Sequence, residues 1–141
     1  MDIKYNFTDI KQIQFAVFPD MLVGTSKTEI SVQFEVSSNI NISEDVSDIR
    51  CKILLELRQK NETFLLIEVE TYFSLSIDSW EKTEDNKYKL PVDFIRHLAL
   101  LSFSTVRGII YSKTQDSDLK KIILPSIDVT QMVKKDYIIE L

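Results

Sequence analysis

Glycine, proline, cysteine and histidine are all scarce in this chain of 141 residues. Two glycines and three prolines leave little room for a flexible linker or a low-complexity segment. With Cys51 as the single cysteine, no disulfide can form within the chain, and a reducing compartment is the simpler expectation. The single histidine, His97, has no second histidine or cysteine cluster near it in sequence, so no metal site is expected, and a surface or interface imidazole is the better reading. A Gly-rich phosphate loop, an HExxH pair and a nucleophile elbow are also missing. Nothing in the sequence demands an enzyme, and no catalytic residue, metal or cofactor is assigned. No stretch approaches the roughly 20 apolar residues that cross a bilayer. "MDIKYNFTDIKQ" carries no continuous apolar leader, so the expected location is the cytoplasm, without membrane insertion. Basic clusters are lacking too: 17 Lys and Arg stand against 22 Asp and Glu, for a net charge of −5, which argues against nucleic acid as a partner.

What is present is a hydrophobic content of 44% with 28% charged residues, enough for a single domain over residues 1–141 with one modest core. In "EISVQFEVS", Ile30, Val32, Phe34 and Val36 share one face and Glu29, Ser31, Gln33 and Glu35 the other, the period of a half-buried strand. Residues 49–58 repeat it, with Ile49, Cys51, Ile53, Leu55 and Leu57 on one side. "KNET" at 60–63 reads as a hairpin turn. A further strand from about Thr63 to Ile77 carries Leu65, Ile67, Val69, Phe73 and Leu75 on one face. "IKQIQFAVF", from Ile10, reads as the first strand.

"DSWEKTEDNKY" reads as a charged loop. Pro91 suits the first turn of a helix, in which Ile95, Leu98, Ala99, Ser102, Val106 and Ile109 recur at helical spacing and Gly108 marks the expected stop. Ser126 is the expected cap of a second short helix with Ile127, Met132 and Val133 on its apolar face. The fold class expected is therefore α+β: an antiparallel sheet of about four strands followed by two C-terminal helices.

Three features have both a structural and a functional reading. Ala99, Ser102 and Thr105 form a narrow stripe of small residues, which suits either packing on the chain's own sheet or an interface between copies of the chain. Glu68 and Glu70 share a strand face, which reads as a solvated surface rather than an acid/base pair, and they are also a candidate acidic docking face. In "FAVFPDMLVG", Phe18 and Leu22 break the alternation, so this segment is either folded back on the domain or exposed apolar surface of the kind that marks a binding site. Cys51, on an inward strand face, reads as a small buried apolar residue.

The order of these elements resembles the SecB family of export chaperones. "LIEVETYFSLS" at 66–76 resembles that family's third strand. "LPVDFIRHLALLSFSTVRG" resembles its long helix, which starts after a proline and ends in Arg-Gly, and "ILPSIDVTQM" at 123–132 resembles its second helix. Together these cover most of residues 10–133. The third strand departs from the export chaperones in lacking the glycines that usually separate its halves. The chain also resembles divergent SecB-like proteins linked to toxin–antitoxin systems. The resemblance implies an ATP-independent holdase that binds unfolded or extended polypeptide in apolar grooves and self-associates as a dimer or a dimer of dimers, a homotetramer. It implies SecA or an antitoxin as further partner, with service to protein export or to one dedicated client. Carried over by position, the polypeptide-binding residues are Phe15, Val17, Phe18, Met21, Leu22, Val23 and Met132.

Overall fold

The computed structural model describes residues 3–18, 27–115, 124 and 126–140. Strands β1 (Asn6–Val17), β2 (Glu29–Asn41), β3 (Val46–Gln59) and β4 (Glu62–Ser76) pair antiparallel in the spatial order β1-β4-β3-β2. The alternations explain the sheet directly. Ile49, Cys51, Ile53, Leu55 and Leu57 of β3, and Leu65, Ile67 and Phe73 of β4, are fully buried on one face. Lys60 and Asn61 join β3 to β4 with φ of 50° and 65° between the paired residues Gln59 and Glu62, a two-residue hairpin turn of the type that matches strand twist. Helix α1 (Val92–Thr114) lies on the apolar face and buries Phe94, Ile95, Leu98, Phe103, Val106 and Ile110 against it. The α+β class is as expected.

The elements differ from expectation in four places. First, β1 starts at Asn6 rather than near Ile10. Second, α1 does not stop at Gly108: it continues to Thr114. Among the described residues no glycine has positive φ, and a Cβ at Gly108 would meet nothing within 4 Å, so this glycine is an ordinary exposed helical position. Its helical cost of about 1 kcal/mol relative to alanine is offset by burial of Ile110 and Thr114 one and two turns beyond Val106. Third, the cap of helix α2 (Val129–Met132) is Asp128, not Ser126. Fourth, a second sheet forms from β5 (Glu81–Lys82), β6 (Lys87–Leu90) and β7 (Tyr137–Glu140), in the order β5-β6-β7. The segment expected to be a charged loop thus holds two short strands, and "YIIE" pairs with the second of them.

Three hydroxyl groups of α1 are satisfied within the helix. Ser102, Thr105 and Thr114 each donate to the carbonyl four residues back, at 2.7, 2.9 and 2.7 Å. Ser102 Oγ also lies 2.7 Å from Thr71 Oγ1, which donates to the Cys51 carbonyl at 3.3 Å. A short polar thread therefore crosses the core from helix to sheet, and it fixes which face of α1 points inward. Ala99 and Ser102 are 0% and 1% exposed, and only Thr105 is half-buried. The interface reading of the stripe is corrected for the first two: they pack on the chain's own sheet.

Cys51 sits in this thread, and burial pushes its thiol up from 9.0 to about 12 against the hydrogen bonds of Ser102 and Thr71. A thiol whose folded pKa is raised contributes stability that is complete below pH 9 and is lost as pH rises toward 12. Three pKa units correspond to a few kcal/mol at most. Urea midpoints should therefore fall over that window, and Cys51→Ala should flatten part of the fall. A pH profile that the substitution leaves unchanged would contradict this origin.

Candidate polypeptide-binding cleft

The C-terminal segment is stitched to α1 at both ends, and this positions the cleft. Asp128 accepts hydrogen bonds from the Thr130 amide at 3.0 Å and hydroxyl at 2.5 Å, starting α2. The Thr130 hydroxyl, then its amide, hold the Asp128 carboxyl below its usual range. Arg96 Nε donates to the Val133 carbonyl at 2.9 Å, and Asp136 Oδ1 accepts from the Val92 amide at 2.7 Å, capping α1 in place of a side chain from Pro91. Lys89 lies 3.8 Å from the other Asp136 oxygen. Between α2 and the edge strand β2 these contacts leave an open cleft of about 410 Å³, lined by Ile30, Val32, Ile127 and Met132, with Ser126, Asp128 and Gln131 also on its wall. Its apolar lining is half-buried, so it offers apolar surface that remains partly wet.

The residues singled out from sequence do not all meet here. Met132 lies in the cleft. Phe15 and Val17 pack half-buried against the core cluster around Leu65 and Ile67, with Lys113 Nζ 5.3 Å from the Phe15 ring centre. Phe18 is 49% exposed and its amide donates to the Phe64 carbonyl at 2.7 Å. These three belong to the β1 edge, and β4 and β3 separate that edge from β2 and Met132. One groove walled by Phe18 and Met132 is therefore not what the described residues form. Met21, Leu22 and Val23 lie outside the described residues. Ile30, Val32 and Gln131 were missed as site residues. The alternation had already marked Ile30 and Val32 as inward-facing, but only the strand order reveals that their strand is an edge.

Glu68 and Glu70 do share a face, yet both are engaged. Glu68 accepts from Gln14 Nε2 at 2.9 Å and pairs with Lys52 at 3.5 Å. Glu70 accepts from the Tyr72 hydroxyl, which raises the Tyr72 pKa, and lies 3.8 Å from Arg50. The two carboxylates thus sit in a ladder of cross-strand pairs beside basic neighbours.

His97 is exposed, with its Nε2 2.6 Å from the Tyr5 hydroxyl. Tyr5 meets Phe73, Phe94 and His97 edge-on, with ring centres 5.6 to 5.9 Å apart, so the imidazole helps to pin the segment leading into β1 onto α1. Among the described residues no group of three or more His, Cys, Asp or Glu is placed to hold a metal ion. Among the same residues no helix is long and apolar enough to cross a membrane.

No family model matches the chain, and no curated protein matches it in sequence. Solved structures do match. The Mycobacterium tuberculosis SecB-like chaperone Rv1957, solved in complex with a ChAD peptide from the Rv1956 HigA1 antitoxin, superposes with a TM-score of 0.55. The match covers 87% of this chain and 90% of that one at 14% identity. The fold is SecB-like. The resemblance seen in the order of strands and helices is therefore matched by a three-dimensional likeness of fold.

Proposed function

We propose that this SecB-like chain is an ATP-independent holdase that binds extended, non-native polypeptide in the cleft between β2 and α2. The observation that carries this reading is the cleft itself: partly wet apolar side chains, at the edge of a sheet, on a fold shared with a chaperone that binds a peptide. Met132, with its flexible thioether, suits clients of varied shape. The rival reading is service to one dedicated client, such as an antitoxin, and it is favoured by the antitoxin peptide bound to the SecB-like neighbour. Light scattering separates the two. A general holdase suppresses aggregation of several unrelated unfolded proteins without ATP, whereas a dedicated one protects a single partner. Failure to protect any client would overturn both.

Self-association belongs to the same proposal, with a different surface from the buried stripe. Tyr5 meets His97 at one end of α1 and Phe15 meets Lys113 at the other, so β1 and α1 run side by side. Between those contacts β1 leaves Phe7, Ile10 and Ile13 at 41%, 47% and 47% exposure, and α1 exposes Leu100 at 48%. A second copy covers this patch in the proposed dimer, and a dimer of such dimers would make a tetramer. Replacing Ile10 and Ile13 together with glutamate should shift light scattering at micromolar concentration from oligomer to monomer while the fold persists. A wild-type chain that scatters as a monomer would contradict the assignment.

A further inference from the structure

The face of the sheet turned away from α1 is open, and on it two opposite charges stand near each other without pairing. Asp48 and Arg50 are exposed and two residues apart on β3, so both point to this face with about 7 Å between their Cα atoms. Their side chains could reach each other across that gap. Instead Ser37, directly opposite Arg50 on β2, accepts from its Nε at 3.0 Å and holds the guanidinium toward β2. Glu70 Oε1 lies 3.8 Å from Arg50 Nη1, too far for a hydrogen bond, and the other Glu70 oxygen is taken by the Tyr72 hydroxyl. The two Nη groups of Arg50 therefore donate to no described residue, and Asp48 pairs with no cation among the described residues.

Both charges line a cavity of about 320 Å³, together with Ser37 and Asn39 of β2, Tyr72 of β4 and Thr8 of β1. Strand register brings these groups together. Asn39 stands opposite Asp48, and Tyr72 stands opposite Arg50. The register shift between Phe7 and Asp9 leaves Thr8 unpaired in the ladder with β4, and bulges of this kind re-aim a side chain. The chemistry of the lining selects a ligand. A lone anion would face the Asp48 carboxylate, and a lone cation would face the Arg50 guanidinium. A neutral polyol would leave both charges without a counter-charge. A small molecule carrying an ammonium and a carboxylate answers both. We infer that this cavity is a second ligand site, distinct from the cleft, and that it takes a free α-amino acid. The carboxylate binds the outer fork of Arg50, the ammonium binds Asp48 and the Asn39 amide oxygen, and an apolar side chain lies along Tyr72.

An NMR chemical-shift titration of the isotope-labelled full chain tests place and chemistry together. L-phenylalanine should shift the amides of Ser37, Asn39, Asp48 and Arg50 and leave those of Ile127 and Met132 in the cleft unchanged. N-acetylphenylalanine, which lacks the ammonium, and phenylalaninamide, which lacks the carboxylate, should each bind about tenfold or more weakly, because each forfeits one charge-assisted contact. Two exposed variants then give a crossed pattern. Asp48→Asn should weaken phenylalanine by about tenfold and leave N-acetylphenylalanine no weaker, since that compound has no ammonium to lose. Arg50→Gln should weaken phenylalanine to a similar degree and leave phenylalaninamide no weaker. Glu35→Gln, which removes a carboxylate from the same face outside the cavity, should change none of these affinities. Equal affinities for the three compounds, variants without the crossed pattern, shifts confined to the cleft, or no shift at millimolar phenylalanine would overturn the site. Glucose bound as tightly as phenylalanine would overturn the amino-acid assignment in favour of a polyol. The cavity and the cleft lie on opposite faces of the sheet, so none of these outcomes bears on client binding.

Discussion

Replacing Ile30, Ile127 and Met132 together with serine should leave a folded chain that holds clients at least about a hundredfold more weakly, since each anchor covered by client contributes about 1–3 kcal/mol. The three side chains line the cleft and are only half-buried in the free chain, so their removal costs binding more than folding. Ile30 and Ile127 pack from outside on the core cluster around Leu55, and Met132 on that around Leu98, so none of the fully buried side chains is changed. Anisotropy titrations with a labelled unfolded protein, run beside thermal melts, separate the two effects. A folded triple variant with unchanged affinity would place clients elsewhere on the molecule.

Ser102→Phe should act on stability, not on assembly. Ser102 is 1% exposed, and its hydroxyl is held between Thr71 and the Leu98 carbonyl. A phenyl ring there overpacks the helix–sheet contact, at about 1–3 kcal/mol or more, and takes the Ser102 hydroxyl from Thr71, which keeps its bond to the Cys51 carbonyl. For a domain of this size each kcal/mol lowers Tm by about 2–4 °C, so a fall of roughly 10 °C is expected. Ser102→Ala, which only removes the hydroxyl, should cost much less. Ser104→Phe, on the exposed side of the helix, should leave Tm nearly unchanged. A Ser102→Phe variant that keeps its Tm but falls apart into monomers would mean that the stripe faces a second copy.

The central sheet was legible because its strands are long and half-buried, so alternation survives over many residues. β2 and β3 contain the alternations read over 29–37 and 49–58, with Ile30 opposite Leu57 and Val36 opposite Cys51, and extend beyond them to Asn41 and back to Val46. β5 and β6 were not legible, since two and four residues hold too little periodicity to stand out from a charged loop. β7 was missed for the same reason: "YIIE" becomes a strand only because β6 is there to pair with it. The end of α1 was misread from local chemistry alone. Gly108 signals a stop, but the buried series Val106, Ile110 and Thr114 continues at a spacing of four and decides in favour of the helix. The cleft was partly legible. Met132 and the apolar faces of β2 and of the segment before α2 were visible, but their meeting depends on β2 being an edge, which alternation within one strand does not encode. Phe15 and Val17 lie half-buried against the same core cluster as Ile30 and Val32 but at the opposite edge of the sheet, so strand order again decides which apolar side chains line the cleft.

Site-specific photocrosslinking from inside the cleft is the most direct test of where clients bind. A photoreactive residue in place of Gln131, exposed on the cleft wall, is compared with one in place of Arg50, exposed on the opposite face of the sheet. If extended clients lie between β2 and α2, a reduced, unfolded protein forms adducts from position 131 and not from position 50, and unlabelled client competes them away. Adducts from position 50 alone, or equally from both positions, would contradict a client site in the cleft.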